Sequence, residues 1–271
     1  MSQADGTADA QPPPEAPARF RPLASLDEPV PGGDWEPRSE EPETAFPVPW
    51  RWWDALVIYV ISGFLTYLGI RALAPLVGTD TEIGVFTIVA GTALIVVTLG
   101  WILKRGRHNV WRLAGPVRAS FKDVAVGVGG GLGAFAVINL GLLQLLDLIV
   151  RRSGGELPPI QEELQDAFND PALVPLILVR VVLLAPLGEE LLFRGVLFQA
   201  LRRRVPPWPA IGLSGLAFGL THVQPVAIVG TFPLGMYLAW LFHRRGTIVS
   251  PIVAHLVFNL LGAVLLIASD V

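Results

Sequence analysis

The sequence predicts an all-α membrane protein, a polytopic bundle of about seven transmembrane helices. The composition is one reason: apolar residues make up 52% of the 271 residues and charged residues only 16%, whereas about a quarter of a soluble domain is charged. The mean hydropathy is +0.55. The second reason is a series of apolar runs near the length of about 20 residues that crosses a bilayer. These features argue against a cytosolic enzyme, a disordered protein and a nucleic-acid-binding protein.

The amino-terminal segment differs from the rest of the chain. Residues 1–49 contain 11 of the 24 prolines, and residues 1–50 carry three arginines and ten acidic residues, a net charge of −7. Such a segment cannot compensate for the entropy that it would lose on folding. We therefore expect residues 1–50 to form a disordered, acidic, proline-rich tail. We also expect this tail to be dispensable for the activity of the protein. The tail also lacks the basic start and apolar stretch of a signal peptide, so no cleavage is expected.

Seven apolar runs follow the tail, and each is a predicted membrane helix. They span about residues 55–77, 83–103, 124–150, 171–187, 208–223, 226–242 and 248–268. The helical pattern of the fourth run continues as far as residue 204. The first three runs form an amino-terminal helical region, residues 51–170, and the last four a second region, residues 171–271. The loop at 104–122 carries six lysines and arginines, and the link at 78–82 carries none. The positive-inside rule therefore places this loop and the tail in the cytoplasm of a plasma-membrane protein.

The third run is rich in glycine. A nucleotide-binding loop would need a strand before the glycines and a helix after them, but these glycines lie inside an apolar run of membrane length. The pairs Gly127/Gly131 and Gly129/Gly133 instead have the small-xxx-small spacing that allows two helices to pack closely. We therefore interpret them as helix-packing residues.

Polar and ionisable side chains inside apolar runs are costly to bury, so they indicate where function lies. Here they concentrate in three motifs on three predicted helices: Glu189-Glu190…Arg194, Phe218…His222 and His255…Asn259. Each motif alone is explained equally well by packing or hydrogen bonding. Because all three lie in membrane runs that a fold can bring together, a shared site is the better interpretation.

Helix geometry gives the two glutamates different expected roles. Residues four apart share a helix face, so Arg194 can neutralise Glu190. Glu189 points about 100° away from Glu190, which leaves its carboxylate available for chemistry.

The motifs together predict hydrolysis of an amide by an activated water. A free carboxylate with a histidine can deprotonate water, and a second histidine with an amide can stabilise an oxyanion. His255 and Asn259 are four residues apart and share a helix face, but the spacing does not say which histidine has which role. The chain has no cysteine, and no motif contains a serine, so a covalent acyl-enzyme is not expected.

The three motifs in this order resemble the CAAX prenyl protease and bacteriocin-processing family (CPBP, or Abi) of intramembrane glutamic endopeptidases. The resemblance covers about residues 171–268 and includes the stretches 232–235 and 245–252. It implies a helical membrane fold with a water-filled cavity and a set of site residues. The implied roles are activation of the water by Glu189 and His255, an oxyanion site formed by His222 and Asn259, and a helix steadied by Arg194 through Glu190, with Phe218 in support.

A metal site is the first alternative within this resemblance. His222, His255 and Glu189 could bind zinc and leave one coordination position open. The chain lacks the His-Glu-x-x-His helix of zinc proteases, so we expect metal-independent catalysis without a cofactor.

The resemblance implies a peptide substrate that is prenylated, otherwise lipidated or membrane-anchored, or a bacteriocin precursor. The expected partners are therefore this substrate and the lipid bilayer, and not a nucleic acid. The alternative function is a non-catalytic immunity or scaffold protein, or a proton-coupled transporter that relays protons through its buried charges. A transporter often shows an inverted repeat, and the first three runs do not match the last four.

Overall fold

We analyse a computed structural model of the chain, which describes residues 48–73, 79–106, 120–158, 171 and 173–269. The predicted tail, up to residue 47, lies outside the described residues, as does most of the predicted basic loop. The domain boundaries proposed from the sequence therefore stay predictions.

The described part of the chain consists of seven helices and contains no strand. They are α1 (Trp52–Leu73), α2 (Thr79–Gly106), α3 (Phe121–Arg152), α4 (residues 174–202), α5 (Pro207–Leu220), α6 (Pro225–Arg245) and α7 (Val249–Ser269). Each helix corresponds to one predicted apolar run, which confirms the all-α membrane bundle.

Five of these helices, α1, α2, α3, α6 and α7, are long and apolar enough to cross a membrane. Helix α5 has 14 residues, or about 21 Å at 1.5 Å per residue, whereas the hydrocarbon core is about 30 Å thick. Helix α4 carries Arg180, Glu189, Glu190 and Arg194 within its apolar sequence. The chain is thus a multi-pass helical membrane protein in which the two remaining helices are short or carry charges.

Helix α4 is irregular on both sides of the two glutamates. The segments Val179–Leu184 and Leu191–Phe198 are π-helical, and Ala185–Glu190 between them is α-helical. A π turn shifts the backbone hydrogen-bond register, and such turns occur frequently at functional sites. A side chain from elsewhere in the fold bonds to a backbone carbonyl in each π segment, Asn259 Nδ2 to Val181 at 2.8 Å and Trp50 Nε1 to Val196 at 3.1 Å.

The packed part of the chain already includes the residues just before α1. Val48 and Trp50 are both buried in the core, and an Arg203 guanidinium donates a hydrogen bond to the Val48 carbonyl. Asp54, also buried, accepts a hydrogen bond from the Arg51 backbone N–H at 2.7 Å. The last residues of the predicted tail are therefore in contact with α4.

Close packing of α3 against α7 depends on two glycines. A Cβ atom on Gly127 would lie 2.6 Å from a valine side chain of α7, and one on Gly131 would lie 2.5 Å from a backbone oxygen of α7. Neither distance is possible for a real Cβ atom, so the predicted packing role of this pair is confirmed. A Cβ atom on Gly129 or Gly133 would meet no described atom within 4 Å, so the second pair does not take part in this contact.

Candidate active site

A fully buried ion pair lies at the centre of the site. Arg194 Nη1 is 2.8 Å from Glu190 Oε1, and neither side chain is exposed. Arg194 Nη2 also donates to the Gly235 carbonyl of α6 at 2.8 Å, and the guanidinium carbon lies 5.0 Å from the centre of the Phe218 ring of α5. The predicted pairing of Glu190 with Arg194 is therefore present, and it joins α4 to α5 and α6.

His255 of α7 lies between the two glutamates of α4. Its Nδ1 is 2.9 Å from Glu190 Oε1, and its Nε2 is 3.7 Å from Glu189 Oε2. An ionised carboxylate can only accept a hydrogen bond, so the contact with Glu190 assigns a proton to Nδ1. In the neutral ring, Nε2 then presents a lone pair toward Glu189. Glu190 thus orients His255 in addition to neutralising Arg194.

The geometry between Glu189 and His255 suits a bound water. The Glu189 side chain keeps 22% of its surface exposed, whereas that of Glu190 keeps none. A water at about 2.8 Å from both Glu189 Oε2 and His255 Nε2 would form an angle of roughly 80° with them. Such a water would donate one hydrogen bond to each group, because the carboxylate oxygen and the unprotonated Nε2 are both acceptors.

Phe218 connects the second histidine to this centre. The Phe218 ring centroid is 5.1 Å from that of His222 and 5.6 Å from that of His255. His222 Nδ1 is 3.1 Å from the Phe218 backbone carbonyl oxygen. Because a carbonyl only accepts, Nδ1 donates there, and Nε2 of a neutral His222 presents a lone pair. The Nε2 atom of His222 can donate a hydrogen bond only when the ring is protonated.

Asn259 lies one turn after His255 on α7. Its amide donates one hydrogen to the Val181 carbonyl, and a primary amide has a second hydrogen that can serve another acceptor. The structure therefore brings Glu189, Glu190, Arg194 and His255 into one cluster, adds His222 through Phe218, and fixes Asn259 against α4.

Two further side chains interact electrostatically with Glu189: Tyr59 of α1 and Arg180 of α4. Arg180 has a sequence signal, because it is a charge within an apolar run. Tyr59 has none, since an aromatic residue in a membrane helix is ordinary. Sequence reasoning therefore missed Tyr59 as a neighbour of the site.

The zinc alternative requires three ligands that converge. In the part of the chain that the structure describes, no three histidine, cysteine, aspartate or glutamate side chains form such a group. His255 and Glu189 lie close enough to act as two ligands. The contact of His222 Nδ1 with the Phe218 carbonyl leaves Nε2 as the His222 atom that could bind a metal. The three side chains do not converge as a three-ligand zinc site in the arrangement of the described residues.

The fold and the site define a multi-pass helical membrane protein with a buried glutamate, arginine and histidine centre. Residues 171–261 match the family described as type II CAAX prenyl endopeptidase Rce1-like, and this segment contains all three motifs. The resemblance predicted from those motifs is confirmed over residues 171–261, which match the model of this family.

Two curated proteins are similar to parts of the chain. "Putative membrane peptidase YdiL" of Bacillus subtilis (strain 168) is 31% identical over 86 residues, which cover 32% of this chain and 35% of that protein. "Uncharacterized 24.3 kDa protein" of Escherichia coli is 26% identical over 162 residues, 57% of this chain and 70% of that protein. The chain thus matches about a third of the length of the first relative. No solved structure gives a significant match.

Proposed function

We propose that this protein is an intramembrane endopeptidase that hydrolyses a peptide bond with a water activated by Glu189 and His255. The observation that carries the proposal is the distance of 3.7 Å between Glu189 Oε2 and His255 Nε2, beside a carboxylate that keeps part of its surface exposed. The family description of residues 171–261 and the peptidase name of the first relative support a membrane protease of the CAAX type.

The reaction begins with the water between the two groups. Glu189 accepts a proton from it, while His255 holds it through Nε2 and Glu190 holds the ring through Nδ1, as a third group orients the base in other hydrolases. The resulting hydroxide attacks the carbonyl carbon of the peptide bond. Glu189 then returns the proton to the amine that leaves, so the carboxylate is regenerated.

The oxyanion that forms on the carbonyl oxygen needs hydrogen-bond donors in a water-poor site. The second N–H of Asn259 is one donor in this proposal, and a protonated His222 is the other. Because Asn259 is held by the Val181 carbonyl at 2.8 Å, its amide is fixed before the substrate binds, which is the condition for effective stabilisation.

A second version of the same reaction exchanges the histidines. It is favoured by the contact between His222 Nδ1 and the Phe218 carbonyl, which leaves a neutral His222 able only to accept through Nε2. In that version His222 shares the water with Glu189, and His255 donates to the oxyanion. Glutamine variants distinguish the two versions, because glutamine supplies an N–H but no base. The histidine whose glutamine variant keeps more activity is the donor.

The proposed substrate is a prenylated, otherwise lipidated or membrane-anchored peptide, with a bacteriocin precursor as one such case. Its scissile bond must reach a site built from membrane helices, and a lipid anchor would hold a peptide at the bilayer.

We also propose that the protein lies in the plasma membrane with its amino terminus in the cytoplasm. The orientation rests on the charge asymmetry of the loops.

The test is a peptidase assay on the purified full chain with a library of lipidated peptides. We expect the wild type to cleave members of the library, and Glu189→Gln to remain folded while losing roughly 10² to 10⁴ in rate. A folded wild type that cleaves none of them would favour the alternative of an immunity, scaffold or transport protein. Equal rates for wild type and Glu189→Gln would contradict the role of Glu189.

The metal question is answered by the same preparation. We expect activity to survive 1,10-phenanthroline, and elemental analysis to find less than one zinc per chain. Stoichiometric zinc, with complete loss of activity in both His222→Ala and His255→Ala, would overturn the glutamate and histidine mechanism.

A further inference from the structure

The turn that follows His222 has a strained backbone. The Gln224 N–H donates to the His222 carbonyl at 2.6 Å, and Val223 between them has a φ of +60°. These are the features of a γ-turn with positive φ at its centre, the rarer and more strained form. Val223 is the one non-glycine residue with positive φ in the part of the chain that is described.

A valine at this position is not explained by the backbone or by packing. A branched side chain is a genuine outlier at positive φ, where glycine and asparagine are favoured. Core packing does not compensate for the strain, because 78% of Val223 is exposed. Strained residues of this kind cluster at functional sites, where the conformation serves the mechanism.

The position of Val223 relative to the site suggests what it does. It follows His222 directly, so the two Cα atoms are about 3.8 Å apart. The His222 ring contacts Phe218, and the Phe218 ring contacts His255. Val223 is therefore the residue directly after a histidine that Phe218 joins to the centre of the site.

We propose that Val223 is a specificity-determining residue that contacts an apolar side chain of the substrate next to the scissile bond. This inference rests on the proposed endopeptidase function. Valine is short and nearly rigid at χ1, so it presents a fixed apolar wall that distinguishes side chains by size. The strained turn keeps that wall beside His222.

The experiment compares Val223→Gly and Val223→Asn with the wild type. Both replacements tolerate positive φ, so we expect melting temperatures at or above that of the wild type. The substrates are farnesylated peptides that differ only in having glycine, alanine, valine or leucine on either side of the scissile bond. In the wild type, the ratio of kcat/KM between the best and the poorest of these peptides measures the discrimination. We expect this ratio to be about tenfold smaller in both variants.

Leu220→Ala is the matched control. Leu220 is also apolar and 55% exposed at the end of α5, but it lies outside the turn, so its removal should leave the peptide preference unchanged. An equal change of preference in Leu220→Ala would show that Val223 acts only as membrane-facing surface and would overturn the inference.

The remaining outcomes separate this inference from the proposed function. Cleavage by the wild type with an unchanged preference in both Val223 variants overturns the role of Val223 and leaves the endopeptidase intact. A folded wild type that cleaves none of the peptides overturns both proposals together.

Discussion

Helices α1 and α7 are both apolar and long enough to cross a membrane, but they use their polar side chains differently. In α1, Ser62 and Thr66 donate to the carbonyls four residues earlier, at 2.7 and 2.8 Å. In α7, His255 and Asn259 bond to groups of α4, which are 65 and 78 residues away in sequence. A hydroxyl can satisfy itself within its own helix, whereas the imidazole and the carboxamide bond to another helix.

This difference distinguishes α1, whose hydroxyls support only their own helix, from α7, whose polar side chains help to build the site. A bond within one helix exists wherever that helix forms, so it says little about how the bundle is assembled. A bond between helices exists only in the folded bundle, and its loss leaves a polar group buried without a partner. We therefore expect substitutions in the polar centre of α4 and α7 to have much larger effects than those in α1.

The largest effect is expected from breaking the buried ion pair. Glu190→Ala or Arg194→Ala leaves an uncompensated charge in a site with no exposure, so each should lower the free energy of unfolding by about 3–5 kcal/mol. Thermal unfolding in detergent measures the loss. Glu189→Gln is the matched control, because this side chain is partly exposed and should leave the melting temperature nearly unchanged. A stable Glu190→Ala beside an unstable Glu189→Gln would reverse the two roles.

A smaller loss is expected where the amino-terminal segment contacts α4. Trp50→Phe keeps an aromatic ring but removes the indole donor of the Val196 carbonyl, which still accepts from the Gln199 backbone N–H. The expected cost is therefore that of one hydrogen bond, about 0.5–1.5 kcal/mol. Trp52→Phe is the control, since Trp52 is 44% exposed.

Two shortened chains test the same contact by thermal unfolding and by a peptidase assay. A chain that begins at Val48 should keep its stability and should keep its turnover within a few-fold, whereas one that begins at Trp52 should not. Equal stability of both shortened chains would contradict this.

The packing of α3 against α7 should respond to a single methyl group. Gly131→Ala places a Cβ atom against a backbone oxygen and should destabilise the protein by roughly 1 kcal/mol, because overpacking exceeds the gain in helix propensity. Gly133→Ala adds the same methyl group where no described atom lies within 4 Å, so it should be neutral or slightly stabilising. Melting temperatures of the two variants test this, and equal values would count against the packing role.

The smallest effect is expected in α1. Ser62→Ala removes a side-chain hydroxyl whose acceptor, the Ile58 carbonyl, keeps its position in the helix, so the change in stability should stay below about 0.5 kcal/mol. Asn259→Ala is the comparison, since it leaves the Val181 carbonyl without its side-chain donor. If Ser62→Ala were as costly as Asn259→Ala in thermal unfolding, the contrast between the two helices would be wrong.

The sequence was sufficient to predict which parts of the chain are helical. An apolar run of membrane length is a local property, and each of the seven runs forms one helix. The pairing of Glu190 with Arg194 was also predictable, because residues four apart share a face even though the backbone between them is π-helical. The charges of the site were found because ionisable residues are rare in such runs.

The packing of the helices could not be predicted in the same way. The sequence did not indicate that Glu190 also holds His255, that Phe218 contacts both histidines, or that Trp50 reaches the Val196 carbonyl, which is 146 residues away. It also gave no sign of the positive φ at Val223. Of the four glycines paired by spacing, only the structure distinguishes the two that face α7.

The sequence by itself therefore determined where the seven helices of the described residues lie and which chemical groups are available for the site. These follow from short-range periodicity and from the cost of burying charge, which each segment carries alone. The tertiary structure alone decided which nitrogen of His222 and of His255 is occupied and which helix supplies its partner. Those properties depend on donor and acceptor atoms that different helices bring within about 3 Å of each other, and no local pattern in the chain encodes that distance.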